Sequence, residues 1–141
     1  MSMTTSNTLS RPVVLGSTSP YRRELMERLR LPFSVSAPNV DETPWPGESP
    51  RDLALRLALA KAKAVAAQHP GAIVIGSDQV ADLAGQPLGK PGEHARAVAQ
   101  LRQMRGKTVI FQTALAVVCL DSGFEAVDLA CLLYTSPSPR D

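Results

Sequence analysis

The stretch VVLGSTSPYRRELMERLR, Val13 to Arg30, decides the fold. It reads as a short buried strand, a small polar loop and a helix. Val13, Val14 and Leu15 form an apolar, β-prone run, and Gly16 breaks it. Ser19 followed by Pro20 signals a helix start: the serine oxygen accepts from an orphan amide at the N-cap, and proline fits the first helical position. Leu25, Met26 and Leu29 form the expected buried stripe, while Glu24 and Arg28 stand one turn apart on the wet side. The helix opens with free amides, two serines and the pair Arg22–Arg23. Amides and the positive end of the macrodipole both favour an anion such as a phosphate there. Two arginines in a first turn oppose that dipole, so helix stability does not explain them. As solvated charges they would need no ligand, and spacing alone leaves both readings open.

Working outward, Leu31–Pro32 ends the helical pattern. Phe33, Val35 and Ala37 alternate with serines as a short half-buried strand. A proline-rich loop, PNVDETPWPGESP (38–50), then carries Asp41, Glu42 and Glu48. Ser49, Pro50 and Asp52 open a second helix, with Leu53, Leu57, Ala60 and Ala64 as its inward stripe, Lys61 on its inward half, and His69–Pro70–Gly71 as its stop. Ala72 to Gly76 is continuously apolar and β-branched, which places it at the sheet centre, with Ser77, Asp78 and Gln79 at its end. Val80 to Leu83 and Gln86 to Lys90 form a hairpin about Ala84–Gly85. Glu93 to Arg105 has the period of a third helix. Thr108 to Leu120 is a long strand whose alternation puts Val109, Phe111, Thr113, Leu115 and Val117 on one face. Asp121–Ser122–Gly123 turns it into a strand from Phe124 to Leu129. The order β-α-β-α-β-hairpin-α-β-β is that of an α/β fold with a mixed, twisted sheet flanked by helices.

Composition fits one domain. The chain has 141 residues, 44% hydrophobic and 20% charged, with only 4% aromatic, so the core is built from Leu, Val, Ile and Ala. A net charge of +2, spread along the chain, argues against a nucleic-acid surface. Residues 1–12 are polar, lack the apolar core of a signal peptide, and are expected to be disordered. No apolar run has membrane-spanning length, so the expected location is the cytoplasm, with no membrane partner. Cys119 and Cys131 have neither metal-ligand spacing nor a disulfide framework around them.

The residue types at loop and strand ends point to phosphate chemistry. Arg22, Arg23, Asp41, Glu42, Asp78 and Lys90 fall there, with Lys61 on the second helix. Ligands of α/β sheets gather where such loops converge. Carboxylates mixed with cations suit a divalent metal with a phosphate. Asp78, directly after a buried Ile/Val run, is the strongest single candidate, although an aspartate capping its own turn explains it equally. Lys61 and Lys90 read by default as surface lysines. There is no Walker A pattern, GxGxxG, HExxH, CxxC pair or GxSxG elbow.

Five motifs in order, GSTSPYRREL, VDETP, LALAKAKAV, IVIGSDQV and LGKP, resemble the Maf family of nucleoside triphosphate pyrophosphatases. The resemblance covers Val13 to Leu129 and is nearest the subgroup acting on 7-methyl-GTP. It implies a Maf/ITPase-like fold and hydrolysis of a nucleoside triphosphate to the monophosphate and diphosphate. By that resemblance Asp78 is the acid-base that activates water, and Ser17, Arg22 and Arg23 form the phosphate loop. Lys61 and Lys90 surround the triphosphate, and Glu42 is the acidic residue of a site for Mg²⁺ or Mn²⁺. Tyr21 and Gln79 occupy the positions that separate subgroups by base preference. An aromatic suits the cationic 7-methylguanine, though the subgroup's usual residue is Trp rather than Tyr.

The resemblance also implies further strands, a helix and a Lys-Ala-Gly segment after Leu129, which the sequence does not contain. The fold is expected to be incomplete at the C-terminus, with residues 13–130 as a partial domain. Residues 131–141, CLLYTSPSPRD, are expected to be a tail foreign to the family that does not continue the strand. Two alternatives accompany the 7-methyl-GTP reading: a dTTP/UTP pyrophosphatase, or a non-catalytic nucleotide-binding protein acting on septum formation. A homodimer is compatible with each of them.

Overall fold

The computed structural model describes residues 11–83, 86–88, 102, 106 and 108–135. Its elements are β1 (Val13–Gly16), α1 (Pro20–Arg28), β2 (Ser34–Val35), α2 (Pro50–Ala66), β3 (Ile73–Leu83), β4 (Gln86–Leu88), β5 (Thr108–Cys119) and β6 (Phe124–Thr135). One sheet runs in the order β2-β1-β3-β5-β6, with β4 paired to β3. β1 is parallel to both β2 and β3, while β3–β4, β3–β5 and β5–β6 are antiparallel. The sheet is therefore mixed, and the fold is α/β.

Both helix starts follow from their caps. Ser19 Oγ accepts from the Arg22 amide and Ser49 Oγ from the Asp52 amide, each with proline at the first helical position. α2 lies over one face of β3 and β5. Leu53, Leu57, Ala58, Ala62 and Val65 pack there on Val74, Ala114, Ala116 and Val118. α1 covers the other face, where Met26 joins Val13, Leu15, Ile73 and Ile75.

β3 divides its side chains between these faces by the two-residue period of a strand. Val74, Gly76, Asp78 and Val80 belong to the α2 side. Ile75, Ser77 and Gln79 line a cavity on the α1 side. The contact with α2 is tight at Gly76. A Cβ there would lie 2.5 Å from the Ala58 carbonyl oxygen and 2.7 Å from the Ala62 nitrogen, so only glycine lets the helix backbone come this near.

Several expectations are corrected. Asp78 does not end its strand: β3 runs unbroken through Ser77, Asp78 and Gln79, because β5 pairs with it from Val74 to Asp82. Gly16 is the last residue of β1, where the run was expected to break, and it pairs with Gly76. Of the α1 stripe only Met26 is buried; Leu25 and Leu29 are exposed and wall a cavity instead of entering the core. The α2 stripe is rotated, with Ala54, Ala58, Ala62 and Ala66 fully buried and Ala60 and Ala64 only half-buried. The strand at Phe33–Ala37 reduces to Ser34–Val35, both exposed at a sheet edge. On β5 the odd-numbered residues from Val109 to Val117 share one face as expected, and the face that meets α2 is the other one, with Gln112, Ala114, Ala116 and Val118. β6 does not stop at Leu129 but stays paired through Thr135, opposite Thr108.

The strands of the two expected hairpins pair, with Leu83 opposite Gln86 and Cys119 opposite Phe124. Both cysteines are free. The expected third helix, Lys90, residues 1–10 and residues 136–141 lie outside the described residues, except for isolated positions of that helix. Among the described residues no helix is long and apolar enough to cross a membrane.

Candidate active site

Three elements bring charge together beside the first helix. α2 supplies Lys61, β3 supplies Asp78, and the loop before α2 supplies Glu42. Lys61 Nζ donates to Asp78 Oδ1 at 2.8 Å and lies 3.6 Å from Glu42 Oε2. Lys61 is only 8% exposed and Asp78 6%. Lys61 is thus not the surface lysine that default reading assigns. The close helix–strand contact at Gly76 holds its stem against the sheet, and its charge is met by a carboxylate.

Burial is the main influence on Asp78, and it pushes the carboxyl above the usual carboxylate range. The hydrogen bond and charge of Lys61 pull it back, nearby Glu42 adds to the push, and Arg22 opposes it. A raised carboxyl in a cleft, with a named charge partner, is the environment of an acid-base group.

In front of this pair lies a chamber of about 180 Å³, lined by Gly16 to Ser19, Arg22, Pro38, Glu42 and Lys61. Its loop is set by its own side chains: Ser17 Oγ accepts from the Ser19 amide, and Ser19 Oγ caps α1. The chamber therefore combines a helix N-terminus with the cations Arg22 and Lys61, a set of groups suited to phosphate oxygens. Asp78 does not line it; Lys61 stands between the two.

A second cavity, about 760 Å³, shares Ser19 and Arg22 with the chamber. Its walls are largely apolar, and Tyr21, Gln79, Thr113 and Asp128 are among its polar-tipped residues. Gln79 Nε2 donates to Thr113 Oγ1 at 2.9 Å, which fixes the amide. Tyr21 is 69% exposed, so one face of its ring is open. The two cavities meet at the mouth of α1, one sized and charged for phosphate, the other broad and apolar.

Of the expected site residues, the structure brings together Ser17, Arg22, Glu42 and Lys61 around the chamber, with Asp78 bonded to Lys61, and Tyr21 and Gln79 around the larger cavity. Arg23 points away: its Nε lies 3.7 Å from Glu27 Oε2 on the exposed side of α1. No group of three or more His, Cys, Asp or Glu poised for a metal occurs among the described residues.

One arrangement the sequence did not announce is the fastening of the acidic loop. Arg56 on α2 makes a bidentate pair with Glu48 at 2.7 and 2.9 Å, donates to the Thr43 carbonyl at 3.1 Å, and stacks 4.0 Å above the Trp45 ring. This clamps residues 43–48 onto α2 just after Glu42. The only signal was an arginine half a turn from a helix's buried stripe.

The family model for Maf-like proteins matches residues 12–131. Curated relatives include the 7-methyl-GTP pyrophosphatase of Polaromonas sp. (strain JS666 / ATCC BAA-500), 75% identical over 126 residues, covering 89% of this chain and 58% of that protein. The protein of the same name from Albidiferax ferrireducens is 67% identical over 125 residues, covering 89% and 63%. That from Ralstonia nicotianae is 64% identical over 112 residues, covering 79% and 56%. The chain thus spans less than two thirds of each relative's length. Among solved structures, that of a HAM1 protein from Coxiella burnetii aligns with a TM-score of 0.58 at 19% identity, covering 87% of this chain and 71% of that one, which shows a shared fold.

Proposed function

The chain belongs to the Maf family, and on that premise we propose that it hydrolyses 7-methyl-GTP to 7-methyl-GMP and diphosphate. The observation that carries this reading is the buried Lys61–Asp78 pair behind a cationic chamber that opens into a base-sized cavity. The named activity of the relatives supports the substrate.

The triphosphate occupies the chamber. Amides of the Ser17–Ser19 loop and the guanidinium of Arg22 bind its oxygens. Arg23 adds a second guanidinium by releasing Glu27, and Lys90 a further cation. The ammonium of Lys61, on a flexible four-carbon stem, moves from Asp78 onto a phosphate oxygen. Asp78 then loses the group that most lowers its proton affinity and becomes a stronger base. It takes a proton from a water, whose oxygen attacks the α-phosphorus. The bond from that phosphorus to the bridging oxygen breaks, and diphosphate leaves with the bonding pair.

A divalent cation fits this donor set. Glu42 and Asp78 offer two carboxylates, and magnesium is commonly held by one or two carboxylates together with substrate phosphates. When bound, Mg²⁺ or Mn²⁺ supplies neutralisation of charge on the phosphate oxygens. Tyr21 offers its ring to the cationic base, and Gln79 presents an amide to the base edge. A nucleotide substrate is consistent with a cytoplasmic setting.

The test is diphosphate release from 7-methyl-GTP, GTP, dTTP and UTP by the purified chain and by Asp78→Asn. Release that is fastest with 7-methyl-GTP and falls roughly 10²–10³-fold or more in the variant supports the reading. Binding without release in a full-length relative would favour the non-catalytic alternative.

A further inference from the structure

We propose that Asp128 is a specificity-determining residue, its carboxylate selecting the positively charged, amine-bearing base of 7-methylguanine. This rests on the pyrophosphatase reading above and deepens it.

Asp128 is on β6, opposite Leu115 of β5. It is the only carboxylate among the described residues lining the large cavity, the same cavity that Tyr21 and Gln79 wall. The other charges there are guanidinium groups. Arg28 is paired with Glu24 at 3.1 Å, and Arg22 belongs equally to the phosphate chamber. A negative charge in a largely apolar wall, distant in sequence from the catalytic carboxylates, is not needed to bind a triphosphate, which it repels. It is suited to a base that carries positive charge. Asp128 Oδ1 accepts from the Leu129 amide at 2.9 Å, which orients the carboxylate and leaves acceptor capacity on the group.

The base has matching chemistry. Methylation at N7 makes the guanine ring cationic, and its N1–H and exocyclic amine are donors. An aromatic face and a carboxylate are the two protein groups that favour a flat cation: one through the ring quadrupole, the other through charge-assisted hydrogen bonds. Gln79 completes the set. One hydrogen of its amide nitrogen goes to Thr113, which orients the amide and leaves its oxygen as an acceptor. Two acceptors suit the adjacent donors N1–H and N2–H of guanine, a pair that neither adenine nor uracil presents.

Binding of the product nucleotides tests this apart from catalysis. The dissociation constants of 7-methyl-GMP and GMP are measured on the chain and on Asp128→Asn and Asp128→Ser. Binding of 7-methyl-GMP is expected to weaken about tenfold, the effect of losing one charge-assisted hydrogen bond, and that of GMP by less because its ring is neutral, so the preference for the methylated nucleotide falls. An unchanged preference in a folded variant overturns the proposal. On the unsubstituted chain, 7-methyl-IMP keeps the ring charge and lacks the amine, and is expected to bind about fivefold more weakly than 7-methyl-GMP, a fraction of one charge-assisted hydrogen bond. Equal binding overturns the proposal whether or not the variants fold. Selective binding with no diphosphate release by the same chain would fault the catalytic reading and leave this one standing.

Discussion

The ammonium of Lys61 donates to Asp78 Oδ1 across 2.8 Å, and the two side chains come from a helix and a strand that touch at a glycine. The pair is buried, so each group sets the other's chemistry. Replacing Lys61 by Met keeps the stem and removes the charge. Turnover of 7-methyl-GTP is expected to fall roughly 10²–10³-fold, the effect of deleting one preorganised charge-stabilising group. The base must be deprotonated to act, so activity declines as pH falls through its pKa. Burial already holds that carboxyl above the ordinary range, and Lys61 is the main group lowering it. In Lys61→Met the acidic limb of the pH–rate profile should therefore move to higher pH. A limb that stays in place would remove Lys61 from control of Asp78.

Asp78 should also cost stability at neutral pH. Its folded-state pKa is raised, so the folded chain holds that proton more tightly than the unfolded one. The favourable contribution is complete below the unfolded carboxyl value of ~3.9 and is lost as pH rises through the raised folded value. Asp78→Asn is thus expected to flatten the dependence of melting temperature on pH across that window while sharply reducing turnover. A dependence as steep as that of the unsubstituted chain would mean that another group causes it.

At Gly76 the helix and the sheet are in tight contact. Gly76→Ala places a methyl group 2.5 Å from the Ala58 carbonyl and 2.9 Å from Ala62 Cβ, atoms of the helix itself that cannot swing aside. Overpacking of this kind costs about 1–3 kcal/mol. The urea midpoint should drop accordingly. Because α2 must lift just where Lys61 meets Asp78, turnover should fall as well, even at temperatures where the variant stays folded.

Arg56 ties the acidic loop to α2 through Glu48, the Thr43 carbonyl and the Trp45 ring. Its removal leaves the largely buried Glu48 carboxylate without its cation. Arg56→Ala is expected to lose about 2 kcal/mol, to expose residues 41–48 to limited proteolysis, and to raise KM through Glu42. Arg56→Lys should recover less than half of the stability, since an ammonium has no planar fork and stacks poorly on indole. Full recovery by lysine would reduce the contact to simple charge pairing.

The parts of this molecule legible in the sequence were those with local causes. Ser19–Pro20 and Ser49–Pro50 announced their helices because a cap and a fixed φ act within one turn. Asp121–Ser122–Gly123 announced its turn, with Gly123 at a φ of 71° that favours glycine. What was not legible depended on distant partners. The polar run Ser77–Gln79 looked like a strand end, yet β5 pairs straight past it. Leu25 and Leu29 had the spacing of core residues, but no element among the described residues packs over them, and they wall a cavity. On β5 both faces are apolar, so alternation could not say which one meets α2. Lys61 was ambiguous because its partner Asp78 lies seventeen positions later on another element, and the Arg56 clamp joins residues that no local pattern connects.

The central claim is that Asp78 directs water at the α-phosphorus of a nucleotide held at the mouth of α1. Hydrolysis in ¹⁸O-labelled water measures this directly, with products analysed by mass spectrometry. The account predicts the label in 7-methyl-GMP and unlabelled diphosphate. Label in the diphosphate, with unlabelled nucleotide, would place the attack on the β-phosphorus and contradict it.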